Sequence, residues 1–362
     1  MTRKRLVLIQ FSRALVPIMV MLFHLSLTMH EYFDFNLFGL HALPMSGGVS
    51  YFFALSGFMM YYVYRNHFGQ MDQMKKYVIN RFIRIYPLYW ILTIVLLPFL
   101  FIFPWYGVGH ETELETIISS FLLSPNPSGE PPVLIPAWSL KFTVLFYLMF
   151  SLLFLPRPRI AMAILAIWGG LCAAVFIGYI PVYNFITEFL LNEINLILLG
   201  GILAAYVVTH VRINWFFSFL FAITGFLGFP FMWKNSLNPI ININFDLGTG
   251  FASILLIIGI ASIDLKKDIR IPKQLNYLGN AAFSIYLSHN LALDFFSEVF
   301  SRFPIYETIG GWILSIVFFV IMISFGSLVH SYFETPLINI LRKRLLRYKV
   351  KIKGVKTVVV RY

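Results

Sequence analysis

Apolar residues dominate this chain in long runs separated by short polar stretches. Ten runs stand out, at 6–29, 47–64, 85–104, 137–155, 160–179, 189–209, 215–233, 247–263, 277–297 and 310–332. Each comes near the roughly 20 apolar residues that carry an α-helix across a bilayer. The predicted fold class is therefore all-α, a polytopic bundle of about ten transmembrane helices. The opening MTRKR and the apolar run after it have the outline of a secretory leader. The run continues to about residue 29 with no small-residue cleavage site, so an uncleaved first helix is expected. No internal repeat, low-complexity linker or soluble appendage interrupts the pattern.

Composition narrows the class further. Hydrophobic residues make up 59% and charged residues 12%, against about a quarter charged in an average soluble chain. Mean hydropathy is +0.79. A soluble enzyme, a β-barrel and a disordered chain are all excluded. The single cysteine, Cys172, lies inside an apolar run, which excludes an intramolecular disulfide and a cysteine metal cluster. No metal site is expected.

The formal charge of +12 would suggest a nucleic-acid partner in a soluble protein. Topology explains it better here. With the N-terminus in the cytoplasm, 24 of the 28 Lys and Arg fall on the inner side. The outer side holds Lys234 and Arg302, while Arg13 and Lys141 fall within spans. The positive-inside rule thus puts both termini in the cytoplasm, and no nucleic-acid partner is expected. Residues 1–336 form the membrane domain and 337–362 a basic cytoplasmic tail, read chiefly as a topology anchor on anionic lipid. The largest outer loop, 105–136, carries Glu111, Glu113, Glu115 and Glu130. It is either a solvated acidic loop or part of a groove for an acceptor.

Ionisable residues at membrane depth are costly and tend to face a cavity or a partner. They are Arg13 and His24 in the first span, Lys141 in the fourth, and His289 and Asp294 in the ninth, with Arg81 and Arg84 at the inner mouth of the third. Eleven helical residues bring His24 about 20° past three full turns from Arg13, on one face and roughly 16 Å along the axis. A fixed cation below a titratable base suits a long ligand with an anionic head and a reactive tip, such as an acyl-coenzyme A. The plainer readings are that Arg13 snorkels to the inner interface and that His24 makes an interhelical hydrogen bond. Arg81 and Arg84, three residues apart, share a helix face and carry forks suited to phosphate. They also satisfy the positive-inside pattern without any ligand. Lys141 reads as a lysine snorkelling from the outer start of its helix.

Taken together, four stretches resemble the acyltransferase family 3 group of integral membrane O-acyltransferases. FSRALVPIMVMLFH holds an Arg-x10-His on Arg13 and His24, and GGVSYFFALSGF holds the FF-x-LSGF stretch centred on Ser56 and Gly57. RFIRIYPLYW holds the Arg-x-x-Arg element, and LGNAAFSIYLSH ends on His289, followed by a closing FETP. The matches run in order from residue 11 to 336, nearly the whole chain. One departure stands out: the family's W-S-L-x-x-E-x-x-F-Y reads WSLKFTVLFY here, so Thr143 occupies the acidic position. Thr143 can hydrogen-bond but cannot act as a carboxylate base. Either another group fills that role, with Asp294, Glu188 and Glu193 as possible substitutes, or activity is altered or lost.

The resemblance implies an enzyme that takes an acyl group, usually acetyl, from cytoplasmic acyl-CoA to a hydroxyl of a surface or exported glycan. It has no bound cofactor, only acyl-CoA as co-substrate. Arg81, Arg84 and Arg13 would hold the phosphate and adenine end. His24, with Arg13 as its catalytic companion, would serve as general base or as transient acyl carrier. Ser56, Gly57 or Arg13 would face the oxyanion, and His289 and Asp294 would support the site. Glu334 is expected to pair with a nearby arginine, and the remaining histidines are given no role. Some relatives carry an extracytoplasmic hydrolase-like domain after the bundle. None is expected here, so transfer is completed alone or handed to a separate partner. The implied setting is the cell membrane, the bacterial inner membrane in particular, among membrane lipids and glycan biosynthesis proteins. Two rivals remain: a transporter or flippase of a lipid-linked glycan, and an inactive scaffold of a glycan synthesis complex.

Overall fold

The computed structural model describes residues 4–346 and the paired two-residue strands Lys349–Val350 and Val358–Val359. Arg3 and most of the basic tail past residue 346 lie outside the described residues. The chain runs as α1 (Val7–Phe33), α2 (Gly48–Tyr64), α3 (Met71–Ile102), α4 (Leu114–Leu122), α5 (Trp138–Ser151), α6 (Pro158–Phe176) and α7 (Phe185–Leu190). It continues as α8 (Ile194–His210), α9 (Trp215–Leu237), α10 (Phe245–Lys266), α11 (Lys273–Ser301), α12 (Ile305–Val329) and α13 (Thr335–Leu345). Eight of the helical stretches among the described residues are long and apolar enough to cross a membrane. The protein is a multi-pass helical membrane protein.

Two expected spans, α2 and α11, fall outside that set for a physical reason. At 17 residues, α2 is about 26 Å long, short for a hydrocarbon core of roughly 30 Å. Polar residues Ser284, Ser288, His289 and Asn290 interrupt α11 and are buried there. Both helices sit inside the bundle, α2 against α8 and α10, and α11 against α1 and α12. A helix wrapped by others has no lipid to satisfy and can carry polar groups. On the inner side, α3 begins at Met71, well before the expected start at residue 85. Its first turns carry Asp72, Lys75, Lys76 and Asn80 and so break the apolar run without breaking the helix.

Small residues set the closest helix crossings. A Cβ on Gly57 would lie 1.9 Å from the carbonyl oxygen of Leu198, and one on Gly201 would lie 2.0 Å from that of Ala54. The α2–α8 crossing therefore touches backbone to backbone, as in small-xxx-small packing. At the inner end of α10, the buried Asp264 carboxylate accepts the backbone N–H of Leu8 at 2.8 Å and of Ile9 at 3.2 Å. These are free donors of the first turn of α1, and a negative charge suits that helix end. The start of α1 is thereby tied to α10.

The acidic outer loop is more structured than a solvated reading suggests. The short helices α4 and α7 form within the outer segments. Glu111 is turned inward, accepting N–H groups of Val108 at 2.9 Å and Gly109 at 2.8 Å. Burial pushes its carboxyl up, but those backbone donors outweigh burial and hold it below the usual carboxylate value.

Candidate active site

One face of α2 bears Val49, Phe52, Phe53, Ser56, Met59, Met60 and Val63, the spacing of a single helical stripe. That stripe lines a cavity of about 420 Å³, within the range of about 300–1,000 Å³ typical of small-molecule sites. Because the lining reaches from the first turn of α2 to the last, the cavity follows the helix for about 21 Å. Ile85 of α3, Leu140 and Thr143 of α5, and Phe283 of α11 close the sides.

Its inner end is cationic. Arg13, Arg81, Arg84 and Arg342 line the cavity, and no Asp or Glu does. Arg81 sits among the rings of Tyr64, Tyr77 and Tyr147, at 5.8, 6.0 and 5.6 Å from their centroids. Its side chain donates to the Tyr64 hydroxyl at 3.4 Å, while its Nε–H is buried without a partner. Arg13 donates to the Gln10 side chain at 3.2 Å and forms no ion pair among the described residues. Arg84 is different, because it pairs with Glu334. Glu334 also accepts from the Ser284 hydroxyl at 2.6 Å and from His330 Nδ1 at 2.6 Å. The carboxylate is thus engaged with three partners and does not line the cavity. Arg13, Arg81 and Arg342 keep charge to offer an anion.

The outer end is neutral. The Tyr286 hydroxyl donates to the Pro136 carbonyl at 2.9 Å and lies 2.9 Å from Ser139 Oγ. Behind Tyr286 stand the two intramembrane histidines. The His289 ring is 6.1 Å from that of Tyr286 and 5.1 Å from that of His24, centroid to centroid. Neither histidine lines the cavity, so Tyr286 is the partition between cavity and pair.

The sequence candidates divide accordingly. Arg13, Arg81, Arg84 and Ser56 line one cavity. His24 and His289 meet across α1 and α11. Gly57 is a correction to its reading as an oxyanion donor: its open side is filled by the Leu198 carbonyl, so it faces α8 rather than substrate. Arg84 lines the cavity as expected, with its charge balanced by Glu334. Asp294 lies farther out, close enough to Glu31 for their charges to interact, and does not line the cavity. Among the possible stand-ins for the missing glutamate, Glu188 interacts with Lys141 instead. Thr143 bonds back to the Ser139 carbonyl at 3.3 Å.

Three residues at the cavity went unread in the sequence. Arg342 comes from α13, in a stretch whose many cations hide any single one. Tyr286 carried no signal beyond its motif. His330 did carry one, because its spacing of four from Glu334 puts the two on one helix face. The segment between them forms a wide π turn, of the kind often found at functional sites.

A family model described as an acyltransferase domain matches residues 8–331. The chain belongs to the acyltransferase 3 family. It is a membrane acyltransferase, and the motif resemblance read from its sequence is borne out. Exopolysaccharide production protein ExoZ of Rhizobium meliloti (strain 1021) is 28% identical over 277 residues, covering 71% of this acyltransferase and 79% of the relative. No solved structure matches the chain.

Proposed function

We propose that this acyltransferase moves an acetyl group from cytoplasmic acetyl-CoA to a hydroxyl of an exported polysaccharide, in a bacterial inner membrane. The observation that carries the reading is the cavity itself. It is long and mostly apolar, lined by four arginines and no carboxylate, and it ends at the tyrosine that screens a histidine pair. A coenzyme A thioester has the complementary shape: phosphates for Arg81, Arg342 and Arg13, a slender arm for the α2 stripe, and a reactive carbonyl for the far end. The relative named for exopolysaccharide production supports a polysaccharide acceptor.

The Tyr286 ring turns aside when donor and acceptor are both present. His24 takes the proton of the acceptor hydroxyl as its oxygen attacks the thioester carbonyl. The C–S bond then breaks, the new C–O ester bond remains, and the proton on His24 passes to the departing thiolate, giving free coenzyme A. The Ser56 hydroxyl on the cavity wall is available to steady negative charge on the carbonyl oxygen.

The test compares surface glycans, by mass spectrometry, from cells lacking the protein and from cells restored with wild type or His24→Ala at equal membrane levels. Wild type is expected to restore an acetyl increment and His24→Ala to leave it absent. Equal restoration by both would remove His24 from the chemistry. Loss of glycan export with no change in acylation would replace the whole reading with a transport role.

A further inference from the structure

His289 is completely buried, and the direction of the hydrogen bond at its Nδ1 can be deduced. Nδ1 lies 2.6 Å from the carbonyl oxygen of Tyr286, one turn earlier on α11. A carbonyl oxygen only accepts, so Nδ1 must carry the hydrogen. In a neutral imidazole Nε2 is then a bare acceptor. That Nε2 is buried and has no partner among the described residues, an uncommon state for a polar atom sealed from water. The His24 ring is 5.1 Å from the His289 ring between centroids and tilted by 58° to it. The carboxylate expected from the motif near the site is absent, its place taken by Thr143.

We infer that His289 is the orienting acceptor for His24, a neutral imidazole in the place a carboxylate holds in other catalytic pairs. A modest turn of either ring lets one N–H of His24 point at Nε2 of His289. The other nitrogen of His24 is thereby left unprotonated and aimed at the acceptor hydroxyl. When His24 takes the hydroxyl proton, the bond to His289 is retained and steadies the imidazolium until the proton leaves on the thiolate. His289 touches neither substrate and is a positioning residue. The inference rests on the acyl-transfer reading above and adds a residue to it.

Two substitutions separate orientation from packing, assayed on the full chain in membrane vesicles with labelled acetyl-CoA and purified polysaccharide. His289→Gln keeps an acceptor near the Nε2 position, whereas His289→Leu keeps the bulk and removes it. His289→Leu is expected to lower kcat roughly 100-fold with little change in KM for acetyl-CoA, in line with the about 10²–10⁴ supplied by general-base catalysis. His289→Gln should recover at least about a third of the wild-type kcat. A His289→Leu enzyme as fast as wild type overturns the inference, as does a His289→Gln enzyme as slow as His289→Leu. Absence of transfer by wild type overturns the acyl-transfer reading and this one with it. If His289→Leu does not accumulate, ¹⁵N NMR of wild-type imidazoles decides: a protonated Nδ1 and bare Nε2 are expected at His289, and the opposite tautomer overturns the inference.

Discussion

Of the two residues in the ion pair beside the cavity, Glu334 has 1% of its side chain exposed while Arg84 keeps 26%. The carboxylate is therefore the member that cannot recover water if its partner is lost. Breaking a buried pair from one side is far costlier than removing both charges together. Arg84→Ala is expected to destabilise the protein by about 3 kcal/mol, read as a lower Tm in detergent. Adding Glu334→Gln should restore most of the loss, and a double variant no better than the single would mean the pair is not the cause. At this scale the sequence was partly legible. The Arg13 and His24 stripe was readable because a helix repeats by geometry alone. The difference between Arg81 and Arg84 was not, because it depends on a carboxylate 250 residues away in the chain.

Among the helices, α13 is the one whose role changed most on folding. A basic segment near the end of a membrane protein reads as a surface anchor, and Lys343 and Arg344 remain exposed as that reading expects. Arg342 is exposed too, but it alone of the three also reaches the cavity wall, since α13 packs along α3 and brings it near Arg81 and Arg84. Arg342→Ala should raise KM for acetyl-CoA roughly tenfold, the loss of about 1.4 kcal/mol of phosphate binding, with kcat nearly unchanged. Lys343→Ala on the same helix should change neither constant. Equal effects from both substitutions would reduce α13 to a general basic surface. The apolar runs located every long helix, because lipid demands an apolar exterior. They missed the polar first turns of α3 and the small α4 and α7, which water and neighbouring protein support instead. They also could not separate a glycine that meets substrate from one that meets a helix, and Gly57 belongs to the second kind.

For the whole molecule, the excess of Lys and Arg on one side sets the expected orientation. In a Cys172→Ser background, Glu113→Cys should react with an impermeant maleimide in intact cells. Asp268→Cys should react only after permeabilisation, and the reverse result would invert the topology. With that orientation, the cavity brings the cytoplasmic solution up to the first turn of α2. What then separates the two compartments is the septum of protein that begins at Tyr286, Ser139 and Pro136. An electrical potential across a membrane falls mainly where the insulating layer remains, so most of it would drop across that septum rather than along the full thickness. A unit charge crossing it would sense up to about 2.3 kcal/mol per 100 mV. With that orientation, the hydrogen bonds of Tyr286 would close a leak as well as a cavity, and the two histidines behind it would stand within the field.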